Sequence, residues 1–169
     1  GSLLSLLVRA TSAVRAIEVG TFTGYSAICV ARALPPHGKL LCCDVSDEWT
    51  QIARRYFAQA KVEDKIDLQI GPALETLRRL PQEPLFDIGF IDADKVNQQN
   101  YYEEVLTRLR SGGLLLIDNV LRDGRVTDPT QSDPSLDSVR ACNDAVARDP
   151  RVEVVMLPIA DGLSLIRKR

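Results

Sequence analysis

Two apolar runs in the middle of this 169-residue chain each end on an aspartate. Residues 86–91 run into Asp92-Ala93-Asp94-Lys95, and residues 114–117 run into Asp118-Asn119. Between them residues 98–110 carry a helical pattern, and Gly112-Gly113 turns the chain back. A strand, a helix and a second strand form a unit whose strands lie parallel. As neighbours, those strands bring Asp92, Asp118 and Asn119 to one rim. Two carboxylates and an amide oxygen, with room for water, suit a hard divalent cation such as Mg²⁺.

The same alternation runs along the rest of the chain. Leu3, Leu4, Leu7 and Val8 make residues 3–11 an amphipathic helix. Strand 15–19, turn 20–24 and helix 25–34 follow, ended by Pro35-Pro36. Strand 39–45 ends at Asp44, and helix 47–60 takes its cap from Ser46 or Asp47. Strand 65–70, helix 72–80 and the acidic pair come next. A polar loop over 122–135 then leads to helix 136–148. Strands 152–157 and 163–166 have no helix between them, so they read as an antiparallel hairpin. Seven strands alternating with helices predict one α/β domain over 1–169, with a mostly parallel sheet covered on both faces and an antiparallel last strand. Ligands of such sheets bind beyond the strand C-termini, at the topological switch point.

Composition excludes several classes. A net charge of −2 gives no drive toward nucleic acid or an anionic membrane surface. No apolar stretch is long enough to span a bilayer, and no secretory signal is evident. Gly1-Ser2 reads equally as a cloning scar or as native sequence. Cys29, Cys42, Cys43 and Cys142 form no C-x-x-C pair, and His37 stands alone in a surface turn. A zinc site and a disulfide framework are therefore not expected. The cysteines read as small apolar core residues in a reducing cytoplasm.

Further chemistry sits at earlier strand ends. In Glu18-Val19-Gly20-Thr21-Phe22-Thr23-Gly24-Tyr25, the glycines let backbone approach a ligand at a helix start. The loop lacks G-x-G-x-x-G and carries Glu18 where a pyrophosphate would be repelled, which disfavours a dinucleotide. An acid there suits a cationic ligand end, such as the amino group of an amino-acid-bearing cofactor. Asp44 is placed to accept both ribose hydroxyls of a nucleoside, or to cap the next helix. Gly71-Pro72-Ala73 lines an adenine slot or is a simple turn. Lys95 lies three residues past Asp92; a neighbouring cation disfavours its ammonium form, so it could take a proton from a substrate hydroxyl. Tyr101-Tyr102 reads as packing, and Trp49 either flanks the nucleoside or covers the sheet. Arg54-Arg55, Arg78-Arg79 and residues 167–169 read as solvated.

With these motifs assembled, the chain resembles the cation-dependent O-methyltransferases that use S-adenosylmethionine, the group of caffeoyl-CoA O-methyltransferase and, more distantly, catechol O-methyltransferase. The similarity lies in E-V-G-T-F-T-G-Y-S, C-D-V, G-P-A-L-E-T-L, F-I-D-A-D-K, Y-Y-E, G-G-L-L-L-I-D-N-V-L and A-D-G-L-S-L, in order along the chain. The resemblance implies a Rossmann-like class I methyltransferase fold. It implies a divalent cation (Mg²⁺ foremost, Mn²⁺ or Ca²⁺ as alternatives) on Asp92, Asp118 and Asn119. It implies S-adenosylmethionine lined by Glu18, Gly20, Thr21, Tyr25, Ser26, Asp44, Ala73, Asp92 and Asp94. Lys95 would be the general base, and the acceptor a small phenol with two adjacent oxygens; the protein would be a homodimer.

Three departures from the family pattern stand out. Relatives carry further N-terminal helices that cover the active site, whereas this sequence starts at the last helix before the first strand. Val96-Asn97-Gln98 stands where relatives read x-N-Y, and Arg122 where they often carry Trp. A second reading is therefore a cofactor-binding module with lost activity. A third, an NAD-dependent oxidoreductase, is disfavoured by the loop at Glu18.

Overall fold

A computed structural model describes residues 1–169. Its strands are β1 (Arg15–Val19), β2 (Lys39–Asp44), β3 (Ile66–Ile70), β4 (Phe86–Ile91), β5 (Leu109–Asp118), β6 (Val152–Leu157) and β7 (Leu163–Lys168). The helices are α1 (Ser2–Ala10), α2 (Tyr25–Ala33), α3 (Asp47–Ala60), α4 (Ala73–Arg79), α5 (Gln98–Arg108) and α6 (Pro134–Arg148). All seven strands join one sheet in the order β3-β2-β1-β4-β5-β7-β6. The first five are mutually parallel, and β7 runs antiparallel to both of its neighbours. The expected hairpin is present, with β7 inserted between β5 and β6.

Alternation of side chains across the pleat divides the interior in two. Ile17, Val19, Cys43, Ile91, Leu115 and Ile117 face α4, α5 and α6, meeting Leu77, Tyr102, Val105, Leu106 and Cys142. Ala16, Leu40, Cys42, Ile88, Phe90 and Leu116 face α1, α2 and α3, meeting Leu4, Val8, Ala27, Val30 and Phe57. All four cysteines are free thiols, and Cys42, Cys43 and Cys142 are buried, as read from the sequence. No helix is long and apolar enough to cross a membrane.

Two local expectations are corrected. Helix α5 stops at Arg108, and β5 begins at Leu109 rather than at residue 114. The expected turn at Gly112-Gly113 is instead an irregularity within β5, where the register against β4 shifts between Phe86 and Ile88. Gly112 takes φ +76°, and a Cβ on Gly113 would lie 2.8 Å from Leu109 and 2.9 Å from the Asp87 carbonyl. The glycines let one strand kink and continue where a turn signal read as a break. Helix α6 starts two residues early, at Pro134, because Asp133 caps it through the Leu136 amide at 2.8 Å.

Candidate active site

The register across the centre of the sheet sets the site. Val19 lies opposite Cys43 and Ile91, and Ile91 lies opposite Ile117. One residue further on, four adjacent strands present Asp44, Gly20, Asp92 and Asp118 in a row. The switch point falls inside this row, between β1 and β4. The chain is tight there: the Asp92 amide donates to the Val19 carbonyl and the Gly20 amide to the Cys43 carbonyl, both at 2.9 Å. Gly20 has φ +91°, and a Cβ on it would come within 2.0 Å of the Asp92 carbonyl oxygen. Only glycine fits.

The loop after β1 is tied to β2 through Asp44. Asp44 Oδ2 accepts the amides of Thr21 at 2.9 Å and Phe22 at 2.7 Å, and its Oδ1 accepts the Ser46 amide at 2.8 Å. Ser46, not Asp44, caps α3. Glu18 points beneath this loop and has no solvent exposure. Ser26 Oγ donates to its Oε1, and the Cys42 thiol lies 3.5 Å from its Oε2. Burial pushes the Glu18 carboxyl up to about 8. Phe22 and Trp49 are exposed at the rim with ring centroids 4.8 Å apart, so Trp49 flanks the strand ends rather than covering the sheet.

Beyond β4, Lys95 Nζ lies 3.1 Å from Asp92 Oδ1, and the lysine side chain is only 10% exposed. Asp94 caps the short turn Lys95–Asn97, accepting the Asn97 amide at 3.2 Å and its side-chain Nδ2 at 2.8 Å. Its other oxygen accepts the Tyr101 hydroxyl. Tyr102, by contrast, is fully buried and donates to Asp149 at 2.7 Å. Beyond β5, Asp118 Oδ1 accepts the Asn119 amide at 2.7 Å, and Asn119 adopts φ +57°, which asparagine tolerates. Burial, then the like charges of Asp92 and Asp161, raise the Asp118 carboxyl above its ordinary range. No three His, Cys, Asp or Glu side chains are grouped to ligate a metal, so carboxylates alone do not complete a cation site.

Two hollows flank the Gly20–Asp92 ridge. One, of about 390 Å³, is lined by Thr21, Tyr25, Ser26, Asp92, Asp118 and Ile159, with Gly1 and, from α1, Leu3 and Leu4 on its wall. The other, of about 210 Å³, is lined by Asp44, Ala73, Asp94 and Tyr101. Gly20, Phe22 and Asp92 belong to both. Of the expected residues, Gly20, Thr21, Tyr25, Ser26, Asp44, Ala73, Asp92, Asp94 and Asp118 line these hollows, Lys95 is joined to them through Asp92 and Glu18 through Ser26, and Asn119 lines neither. Sequence reasoning missed Tyr101 as the brace of Asp94, Cys42 as a partner of Glu18, and Ile159-Ala160 as a wall. The Y-Y-E motif pointed to the first and the A-D-G-L-S-L motif, which begins at Ala160, to the last; nothing in the sequence pointed to Cys42.

This seven-stranded order with one reversed strand is a Rossmann-like fold shared with O-methyltransferases of solved structure. The chain belongs to the O-methyltransferase family, whose profile matches residues 1–169. It is 44% identical over 169 residues to catechol O-methyltransferase domain-containing protein 1 of Mus musculus, spanning 98% of this chain and 64% of that protein. It is 38% identical over 177 residues to caffeoyl-CoA O-methyltransferase 1 of Eucalyptus globulus, spanning 99% and 72%. The crystal structure of the O-methyltransferase from Bacillus cereus in complex with SAH superposes with a TM-score of 0.92 at 34% identity, covering 99% of this chain and 79% of that one. The protein is an S-adenosylmethionine-dependent O-methyltransferase.

Proposed function

We propose that this O-methyltransferase acts on a hydroxyl of a catechol-like or caffeoyl-type phenol, with a divalent cation held by Asp92, Asp118 and Asn119. One observation carries the reading: the register aligns Asp92 and Asp118 on adjacent strands, with Lys95 against the first. The donor set fits a hard cation. Its side-chain oxygens would come from two carboxylates and an amide, hard donors of the kind such cations take. Mg²⁺ is the foremost candidate, with Mn²⁺ or Ca²⁺ as alternatives.

In this reading the cofactor spans the ridge. Thr21, Tyr25 and Ser26 would line its methionine end, with Glu18 behind them. Asp44, Ala73 and Asp94 would line its nucleoside end, and Gly20 and Asp92 would lie between. Asp44 has three of its roughly four acceptor sites filled by backbone amides, which leaves one for a ribose hydroxyl. The cation, when bound, supplies electrostatic stabilisation of negative charge on the acceptor. Lys95 Nζ takes the hydroxyl proton, and Asp92 keeps that nitrogen at the rim. Asp94, Asn97 and Tyr101 fix the turn that carries Lys95. The methyl passes from sulfur to oxygen, and most of the rate enhancement comes from this positioning.

A methyl-transfer assay with S-adenosylmethionine and a catechol panel including caffeic acid and its thioester, run with Mg²⁺ and with chelator, tests the reading. Product is expected only with metal. Lys95→Ala and Asp118→Ala should each lower kcat by at least about 100-fold, with unchanged circular dichroism. Near-normal rates in both variants, or full activity in chelator, would overturn it. A homodimer in a cytoplasmic setting belongs to the same proposal. The four free thiols support the setting, and light scattering at twice the chain mass would support the dimer.

A further inference from the structure

Three arginines stand in or beside the polar segment that follows β5, and two of them are saturated. Arg140 of α6 donates to the carbonyls of Val126 at 3.0 Å, Gln131 and Arg125 at 2.8 Å and Asp128 at 2.6 Å, and to the Asp137 carboxylate at 3.1 Å. Arg125 donates to Gln131 and Asp133, both at 2.6 Å. Arg122 is the exception. Its side chain makes no ion pair, and its Nε is shut off from solvent with no hydrogen-bond partner. Buried N–H groups are nearly always paired, and a guanidinium cannot shed its charge, so the missing partner is one for a ligand to bring. The turn that carries Arg122 is held in a costly shape. Arg122 and Asp123 take φ +50° and +55°, a region that residues with a Cβ avoid. The loop between β6 and β7 enforces it: the Leu121 amide donates to the Asp161 carbonyl at 2.9 Å, and the Asp123 amide to the Asp161 carboxylate at 2.5 Å. Arg122 is thus bracketed by two residues fastened to Asp161, beside Ile159 and Ala160, which wall the larger hollow. Asp118, at the end of β5, lines the same hollow.

We propose that Arg122 selects the acceptor by pairing with a carboxylate that the acceptor carries away from its reacting hydroxyls, so that the preferred substrates are aromatic acids with two adjacent hydroxyls rather than neutral catechols. This rests on the acceptor reading proposed above. The hydroxyls lie toward Asp118 and Lys95, and the carboxylate points outward past Ile159 and Ala160 to the Arg122 turn. A carboxylate fits better than a phosphate. Asp123 and Asp161 flank the arginine, and Asp92 and Asp118 line the hollow, so a doubly charged group meets more repulsion than a singly charged one. A planar guanidinium also matches a planar carboxylate through two parallel hydrogen bonds. Arg122 touches no reacting atom in this arrangement; it determines specificity.

Calorimetry of the protein with S-adenosylhomocysteine and Mg²⁺ tests the proposal, using two probes that share one catechol ring. Caffeic acid bears a carboxylate; methyl caffeate does not. The acid is expected to bind more tightly, and its advantage, the ratio of the two Kd values, should fall by about 10- to 100-fold in Arg122→Gln, the loss expected for a hydrogen bond to a charged group. The ratio cancels any general damage from the substitution. Arg122→Lys should keep part of the preference, since it retains the charge without the paired geometry. Arg122→Glu should reverse it in favour of the ester. No preference for the acid in the unaltered protein, or an unchanged ratio in Arg122→Gln, overturns the proposal. An effect of Arg122→Gln on the coenzyme A thioester of caffeic acid alone also overturns it, by assigning the arginine to phosphate. The ratio is read from binding and stands whether or not a methyl group is transferred. Binding without turnover of either probe would therefore overturn the acceptor reading and leave the role of Arg122 to be decided by the ratio, so the two failures are distinct.

Discussion

Without its cofactor, the folded chain keeps a proton on Glu18 that the unfolded chain gives up. The carboxyl is raised from 4.5 to about 8, so its contribution to stability is complete below about 4.5 and is lost as pH climbs to 8. Asp118 shifts in the same direction, chiefly through burial. Asp87, Glu104 and Asp149 are lowered, so they finish titrating below this window and do not oppose the trend. The melting temperature of the cofactor-free protein should therefore fall by several degrees between pH 5 and 8. Glu18→Gln should flatten that slope; an equally steep slope in the variant would assign the effect elsewhere. At this scale the sequence was informative where an acid ends an apolar run, as at Asp44, Asp92 and Asp118, because a strand delivers its last side chain to a predictable rim. It was silent on pairs such as Ser26 with Glu18 or Asp94 with Tyr101. Whether those side chains meet depends on helix phase and strand register, which a single chain does not display.

Among the elements, α4 and α5 are joined by one buried arginine. Arg108 has no exposed side-chain surface; its Nη1 donates to the Glu104 carbonyl at 2.8 Å and carboxylate at 2.7 Å, and its Nη2 to the Leu80 carbonyl at 3.0 Å. The arginine thereby satisfies a carbonyl just past the end of α4, while Arg78 pairs with the same Glu104 from the other helix at 3.1 Å. Arg108→Ala should destabilise the protein by about 2–5 kcal/mol, because it leaves a cavity and an unpaired Leu80 carbonyl, while Glu104 keeps Arg78. Chemical denaturation would measure this, and a loss below 1 kcal/mol would show the cluster to be dispensable. The type and order of the elements followed from hydrophobic period and from Pro and Gly punctuation. The misread element was β5: Gly112-Gly113 carries the composition of a turn, yet the pairing of residues 114–118 with β4 and β7 holds the chain extended through it.

For the molecule as a whole, alternation implied a sheet covered on both faces, and the two apolar clusters bear that out. Strand order was less accessible, since adjacent sequence strands pair in several ways without changing the hydrophobic pattern. The insertion of β7 between β5 and β6 predicts a pattern of amide exchange. Amides of β1, β4 and β7, each hydrogen-bonded on two sides, should exchange only through global unfolding, while the edge strands β3 and β6 open at lower cost. Exchange of β7 as fast as β6 would contradict this order. The same insertion dictates how the protein must be made. On the ribosome β6 emerges before the strand that anchors it, and the outer edge of β5 waits with it. Until the final hairpin is translated, the nascent chain exposes an open apolar border, the kind of surface that chaperones shield.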